Sequence, residues 1–110
     1  MNKYLPIFLI TLLLTACAEQ LPEGKLNYSG EWRSKEMALL ILEDGSVSYK
    51  RLKNGVTTSV NGPLKKFVGD DFIVGVFFLT TTFDVSEPPH EENGVWKMTV
   101  DGVKLTKVIE

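Results

Sequence analysis

Cysteine and histidine are almost missing from this chain: Cys17 and His90 stand alone. A single cysteine excludes an internal disulfide. One histidine and one cysteine are too few N and S ligands for an ordinary transition-metal site. A strong excess of charge of one sign is also lacking. The formal net charge is −2, which leaves no basic field for nucleic acid. No stretch holds a sustained helical period, and no apolar run is long enough to cross a bilayer as a helix. Nucleophilic catalysis has no supporting motif, since no nucleophile elbow surrounds any serine. Asp70-Asp71 is a pair of carboxylates, but neighbours on a strand point to opposite faces, so a charged turn is expected there. No catalytic residue, metal or cofactor is called for, and the chain reads as a non-enzyme.

What is present begins with an address. Lys3 supplies a charged start, Leu5 to Leu13 a short apolar stretch, and Leu14-Thr15-Ala16-Cys17 follows directly. This combination resembles the lipobox of bacterial lipoproteins. A cysteine buried in an N-terminal helix is the other reading, but nothing downstream could pack such a helix. The resemblance implies that residues 1–16 are a signal peptide. Cys17 would be the lipidation site, and acyl chains on it would anchor the chain to a membrane. Ala18 follows Cys17, which by the same resemblance implies the outer membrane, facing the periplasm, in a Gram-negative cell. Without Lys3 the mature chain has 11 basic and 14 acidic groups, a net charge of −3. Residues 17–27 form the lipidated cysteine and a polar tether broken by Pro22 and Gly24. Its ten residues after Cys17 reach roughly 35 Å at most.

Residues 28–110 read as one all-β domain, a small antiparallel meander barrel or strongly bent sheet of about six to eight strands. Gly94 to Val108 predicts the closing hairpin. A two-residue loop at Asp101-Gly102 sets Val100 against Val103, Met98 against Leu105 and Trp96 against Lys107. Asn54-Gly55 predicts another hairpin, with Lys53 opposite Val56 and Tyr49 opposite Val60. A two-residue loop at Asp44-Gly45 would set Leu42 against Val47 and Leu40 against Tyr49. Leu40, Leu42, Val47 and Tyr49 would then face the core, with Leu39 and Ile41 outside. Asn61-Gly62-Pro63 predicts a bulge, bend or edge. Phe72 to Leu79 reads as one central strand with Gly75 permitting a bend, and Thr80 to Phe83 could extend it. Asp84 to Asn93 reads as a polar loop stiffened by Pro88-Pro89.

Three features carry a second resemblance: Gly30-Glu31-Trp32 opening the domain, the Asp44-Gly45 turn after an apolar strand, and Trp96 heading a late hairpin. With them, the mature chain resembles the small lipocalin-like domains of bacterial envelope proteins. The resemblance implies that Trp32 closes one barrel end beneath a basic side chain from a late strand. The family's usual arginine is missing, and Lys107 is the candidate. Lys107 should cover a Trp ring, Trp96 or Trp32, with its stem and reach solvent with its ammonium.

The surface features stay general. His90 among Glu87, Glu91 and Glu92 reads as a solvated acidic stretch in preference to a metal site, with weak calcium binding left open. Lys65-Lys66 and Lys50-Arg51-Leu52-Lys53 could touch anionic head groups or simply protect strand edges. Apolar residues fall on both faces of two strands. Either another layer covers the outer set, or it is an exposed patch for a partner. Two functions follow. The first is an anchored, non-enzymatic binding or scaffolding module for an envelope protein partner. The second is a carrier of a small apolar ligand inside the barrel, although the aromatic residues could occupy much of so small an interior.

Overall fold

The computed structural model describes residues 20–109. A 3-10 helix, Glu23–Tyr28, leads into nine strands. These are β1 Gly30–Arg33, β2 Met37–Ile41, β3 Ser46–Lys53, β4 Val56–Val68, β5 Asp71–Val76, β6 Leu79–Phe83, β7 Val85–Glu92, β8 Val95–Val100 and β9 Val103–Lys107. All belong to one antiparallel sheet in the order β6-β5-β4-β3-β2-β1-β9-β8-β7. The all-β, strongly bent sheet expected from the sequence is the observed fold.

The sheet curls because its two edges share one run of chain. Five antiparallel steps lead from β1 to β6, and three lead from β1 through β9 to β7, so β6 and β7 run in the same sense. Only Asp84 separates them. The first half of the run pairs with β5 and the second with β8. Side chains satisfy the backbone at the kink: Asp101 Oδ1 accepts from Asp84 N (2.9 Å), and Asp71 Oδ1 accepts from Val85 N (2.7 Å). Counting the two halves separately gives nine strands, beyond the six to eight expected. β4 divides its pairing in a similar way, with β3 up to Pro63 and with β5 from Leu64, beside a register shift at Lys65. Pro63 therefore ends one ladder, where its missing N–H does least harm.

The hairpins at Asn54-Gly55 and Asp101-Gly102 pair as expected. Val100 faces Val103 and Met98 faces Leu105. Lys53 faces Val56 and Tyr49 faces Val60. Asn54, Gly55, Asp101 and Gly102 all have positive φ, as a tight hairpin turn of this hand needs. Trp96 is half-buried against the core instead of lying within it.

Four expectations are corrected. At Asp44-Gly45 the loop holds three residues, Glu43 to Gly45. Leu42 N donates to Ser46 O (2.9 Å) and Gly45 N to Leu42 O (3.0 Å), with Gly45 at φ +93°. The extra residue shifts the register by one, and a shift of one turns every side chain of the strand over. Ile41 now faces Val47 and Leu39 faces Tyr49. Leu39 and Ile41 are therefore core, whereas Leu40 and Leu42 are exposed.

The run Phe72 to Leu79 is not one strand. It turns at Phe77-Phe78, setting Val76 against Leu79 and Phe72 against Phe83. Gly75 makes the close return possible: at φ +131°, an added Cβ would lie 2.1 Å from Leu79 O. Asp84 to Asn93 is mostly strand. β7 is an edge, and Pro88-Pro89 fall in a register shift between Glu87 and His90, where no ladder bond is needed. The polar stretch after Cys17 is docked from Leu21 onward. Leu21 is buried and its N–H donates to Glu43 O (3.0 Å).

The interior is filled by the protein's own side chains. Tyr28, Trp32, Leu39, Phe72, Phe83 and Met98 are almost completely buried. Phe83 stacks on Phe72 at 5.0 Å and meets the Tyr49 ring edge-on at 4.8 Å. The register correction has a measurable consequence. Leu39→Ala should cost about 2–5 kcal/mol in urea unfolding, while Leu40→Ala stays within about 0.5 kcal/mol. Equal effects would restore the other register.

Candidate interaction surface

Cys17, the one residue with a chemical role expected from the sequence, lies outside the described residues. From Leu21 onward the chain is fixed to the sheet. Lys25 Nζ donates to Gly69 O (2.9 Å) and lies 3.7 Å from Asp70 Oδ1. Tyr28 inserts its ring beside Phe67 and donates its hydroxyl to Asp70 O (2.8 Å). Burial, with the nearby Asp70 and Asp71 carboxylates, pushes the Tyr28 hydroxyl up to about 12. Tyr28 is therefore a donor, and Asp70-Asp71 serve the β4–β5 turn and the kink at Asp84, not an acid/base pair.

Lys107 sits between both indoles. Its Nζ is 4.9 Å from the Trp32 ring centre and 5.6 Å from that of Trp96. Trp32 is paired with it across β1 and β9 and donates Nε1–H to Tyr28 O (2.9 Å). Gly30 belongs to the same cluster, since a Cβ there would meet Lys107 Cε at 3.0 Å. Burial lowers the Lys107 pKa from its usual value. The ammonium also donates to Asn27 O (3.4 Å), so these contacts tie the last strand to the first strand and to the turn before it.

The acidic stretch is equally committed. His90 Nδ1 contacts Pro88 O (2.8 Å) and Nε2 contacts Glu92 Oε2 (2.6 Å), so both ring nitrogens are taken. Lys104 Nζ shares Glu92 Oε2 at 3.3 Å. Among the described residues, no group of three or more His, Cys, Asp or Glu is arranged to hold a metal.

The surface feature that stands apart is the β5–β6 turn. Phe77 and Phe78 are 82% and 87% exposed, Leu79 is 69% exposed and Val76 44%. Phe77 has φ +54°, a conformation that is strained for an aromatic residue and suits glycine in a hairpin. Lys65, raised on the irregularity in β4, donates Nζ to Phe77 O (2.7 Å). Between Ser46 and Gly69 the chain has five basic residues, Lys50, Arg51, Lys53, Lys65 and Lys66, and no acidic one. The apolar tip thus projects from the basic part of the sheet. On the outer face beside β2 and β3, two open grooves of about 280 and 420 Å³ are lined by residues including Arg33, Ala38 and Lys50. Leu40 and Leu52 are exposed there, a weaker apolar patch than the tip.

Sequence reasoning registered the excess of apolar residues but not where they emerge. The inward positions Phe72, Val74 and Phe83 carry the missing signal, because Phe72 opposite Phe83 requires a turn at 77–78.

Two outcomes test these surroundings. Phe77→Gly should raise stability by about 1 kcal/mol in urea melts, by relieving the positive φ. A loss of stability would mean that Phe77 supports the fold. His90 is held in its charged form first by the Pro88 carbonyl and then by Glu92, so its pKa is raised. Its stabilising contribution is complete below the unfolded value, near pH 6.5, and is lost as pH rises through the elevated folded value. An NMR titration of His90 should show that elevation, and Glu92→Gln should reduce it.

Comparison with known proteins supplies no relative: no family model, no curated protein and no solved structure matches this chain.

Proposed function

We propose that the protein is a membrane-anchored envelope lipoprotein whose domain acts as a non-enzymatic binding or scaffolding module. Cys17 carries the acyl chains after removal of residues 1–16, and in a Gram-negative cell the domain faces the periplasm from the outer membrane. The observation that carries the binding role is the exposed Phe77-Phe78 tip on a domain whose interior is already filled. Convex apolar surface of this kind favours contact with an external partner over carriage of a ligand. The alternative, a carrier of a small apolar ligand, draws its support from the likeness to lipocalin-like domains. The Trp32–Lys107 contact supports that likeness, but the aromatic packing inside argues against a roomy cavity. Docking of the chain from Leu21 leaves only four residues from Cys17 to the packed domain, a reach of roughly 14 Å. The domain would therefore lie close to the anchoring bilayer.

Intact mass of the chain purified from its producing cell tests the anchor. The expected species begins at Cys17 and carries the added mass of acyl chains, and Cys17→Ser abolishes that species. An uncut or unacylated chain would overturn the reading. Native mass spectrometry of the same preparation separates the roles. A retained protein subunit supports the module, and a retained small apolar molecule supports the carrier.

A further inference from the structure

We propose that the β5–β6 tip is a second membrane contact, one that inserts Phe77 and Phe78 into the interface of an anionic bilayer. This rests on the anchored reading above and names what the tip binds. The shape fits a fluid surface: the four residues Val76 to Leu79 project as a turn and not as a groove that would receive a peptide. Interfacial insertion joins buried apolar area to attraction between basic side chains and anionic head groups. Both parts are present, because exposed Lys65 and Lys66 lie on β4, the strand next to β5, and Lys65 reaches the tip itself. Lys65 also removes an obstacle. A bare carbonyl is costly to take out of water, and the Phe77 carbonyl already accepts from the Lys65 ammonium. Around the tip no carboxylate stands in the way: Ser46 to Gly69 is free of acids and Phe72 to Phe83 carries no charge, while Asp70 and Asp71 lie at the far end of β5, Asp70 beside Lys25 and Asp71 accepting from Val85 N.

The placement also allows one bilayer to meet both contacts. The 3-10 helix holds the start of β5 through Gly69 and Asp70, and six strand residues separate that end from the tip, roughly 20 Å. A domain tethered by four residues from Cys17 reaches the surface with its tip when it lies with β4, β5 and β6 against the membrane. That side is the one that carries Lys65 and Lys66.

The test uses the full chain, purified from producing cells and reconstituted through its own anchor. Phe78→Cys is coupled to an environment-sensitive fluorophore. Vesicles are phosphatidylcholine with or without phosphatidylglycerol, and spin labels on the acyl tails act as quenchers. In anionic vesicles the probe at position 78 should shift to the blue and be quenched, while a probe at Asn54→Cys, on the separate β3–β4 turn, stays wet. Lys65→Gln and Lys66→Gln should each weaken insertion about fivefold. A probe at position 78 that remains as wet as the one at position 54 overturns the proposal, including where it cross-links to a protein partner instead. Equal quenching in both lipids and in both lysine variants overturns the role of anionic head groups. Failure of the anchor is seen separately, as uptake of the fluorophore by a free Cys17 thiol in the unsubstituted chain. In that event the same probe is read on a Cys17→Ser background with added vesicles.

Discussion

Pairing of Trp32 with Lys107 joins the first strand to the last, and that seam makes one continuous sheet of the two halves of the chain. β1 is only four residues long, so its ladder to β9 is short. Side chains make up the difference. The indole of Trp32 is fully buried, a burial of the kind whose removal costs about 3–5 kcal/mol. The Lys107 ammonium adds a cation–π contact of about 0.5–2 kcal/mol, depending on its desolvation. Gly30 lets the lysine stem cross the strand, and the Val108 N–H donating to Glu31 O (2.8 Å) extends the seam beyond the paired residues. The other closure is covalent, through Asp84, with Asp71 and Asp101 holding its backbone. Two closures of different kind therefore fix the ends of one meander around a single filled core.

With the core filled, the features that set this domain apart lie on its surface. The hairpin turns provide an internal comparison. Asn54-Gly55, Asn93-Gly94 and Asp101-Gly102 have positive φ at both positions and residue types that accept it. The β5–β6 turn has phenylalanine at its positive-φ position instead. Nothing in the packing requires this, because Phe77 and Phe78 are almost fully exposed and touch no core cluster. Phe77 thus strains its turn without the interior contact that usually offsets such strain.

The parts of the fold legible in the sequence were those where turn chemistry and side-chain alternation point the same way. Asp101-Gly102 and Asn54-Gly55 fix their registers because both central residues accept positive φ. Asp44-Gly45 is written almost identically, yet the Asp44 carboxylate accepts from Ser46 N (2.9 Å) and the glycine becomes the third residue of its loop. Both loops suit the same dipeptide, and they differ in which face of MALLIL turns inward. That choice belongs to the core, where Met37, Leu39 and Ile41 fill space that Leu40 and Leu42 would not. Pro88-Pro89 misled for a related reason: an edge strand with irregular register tolerates prolines that a central strand does not. The tip was only half legible, as surplus apolar residues, since its position depends on Phe72 meeting Phe83 across a turn.

Charge follows the same division of the sheet. Basic side chains gather on β3 and β4, while Asp84, Glu87, Glu91 and Glu92 gather on and beside β7. On the acidic edge Glu92 is held between His90 and Lys104, and Glu87 accepts from the Thr99 hydroxyl. The Lys65 ammonium, by contrast, is spent on a backbone carbonyl at the tip and meets no carboxylate there. A near-neutral total thus conceals a polarised surface. A long-range field from the whole molecule would nearly cancel, but within a Debye length of about 8–10 Å the charges beside the Phe77-Phe78 tip are those of Lys65 and Lys66. Orientation, more than net charge, decides what this domain presents to its surroundings.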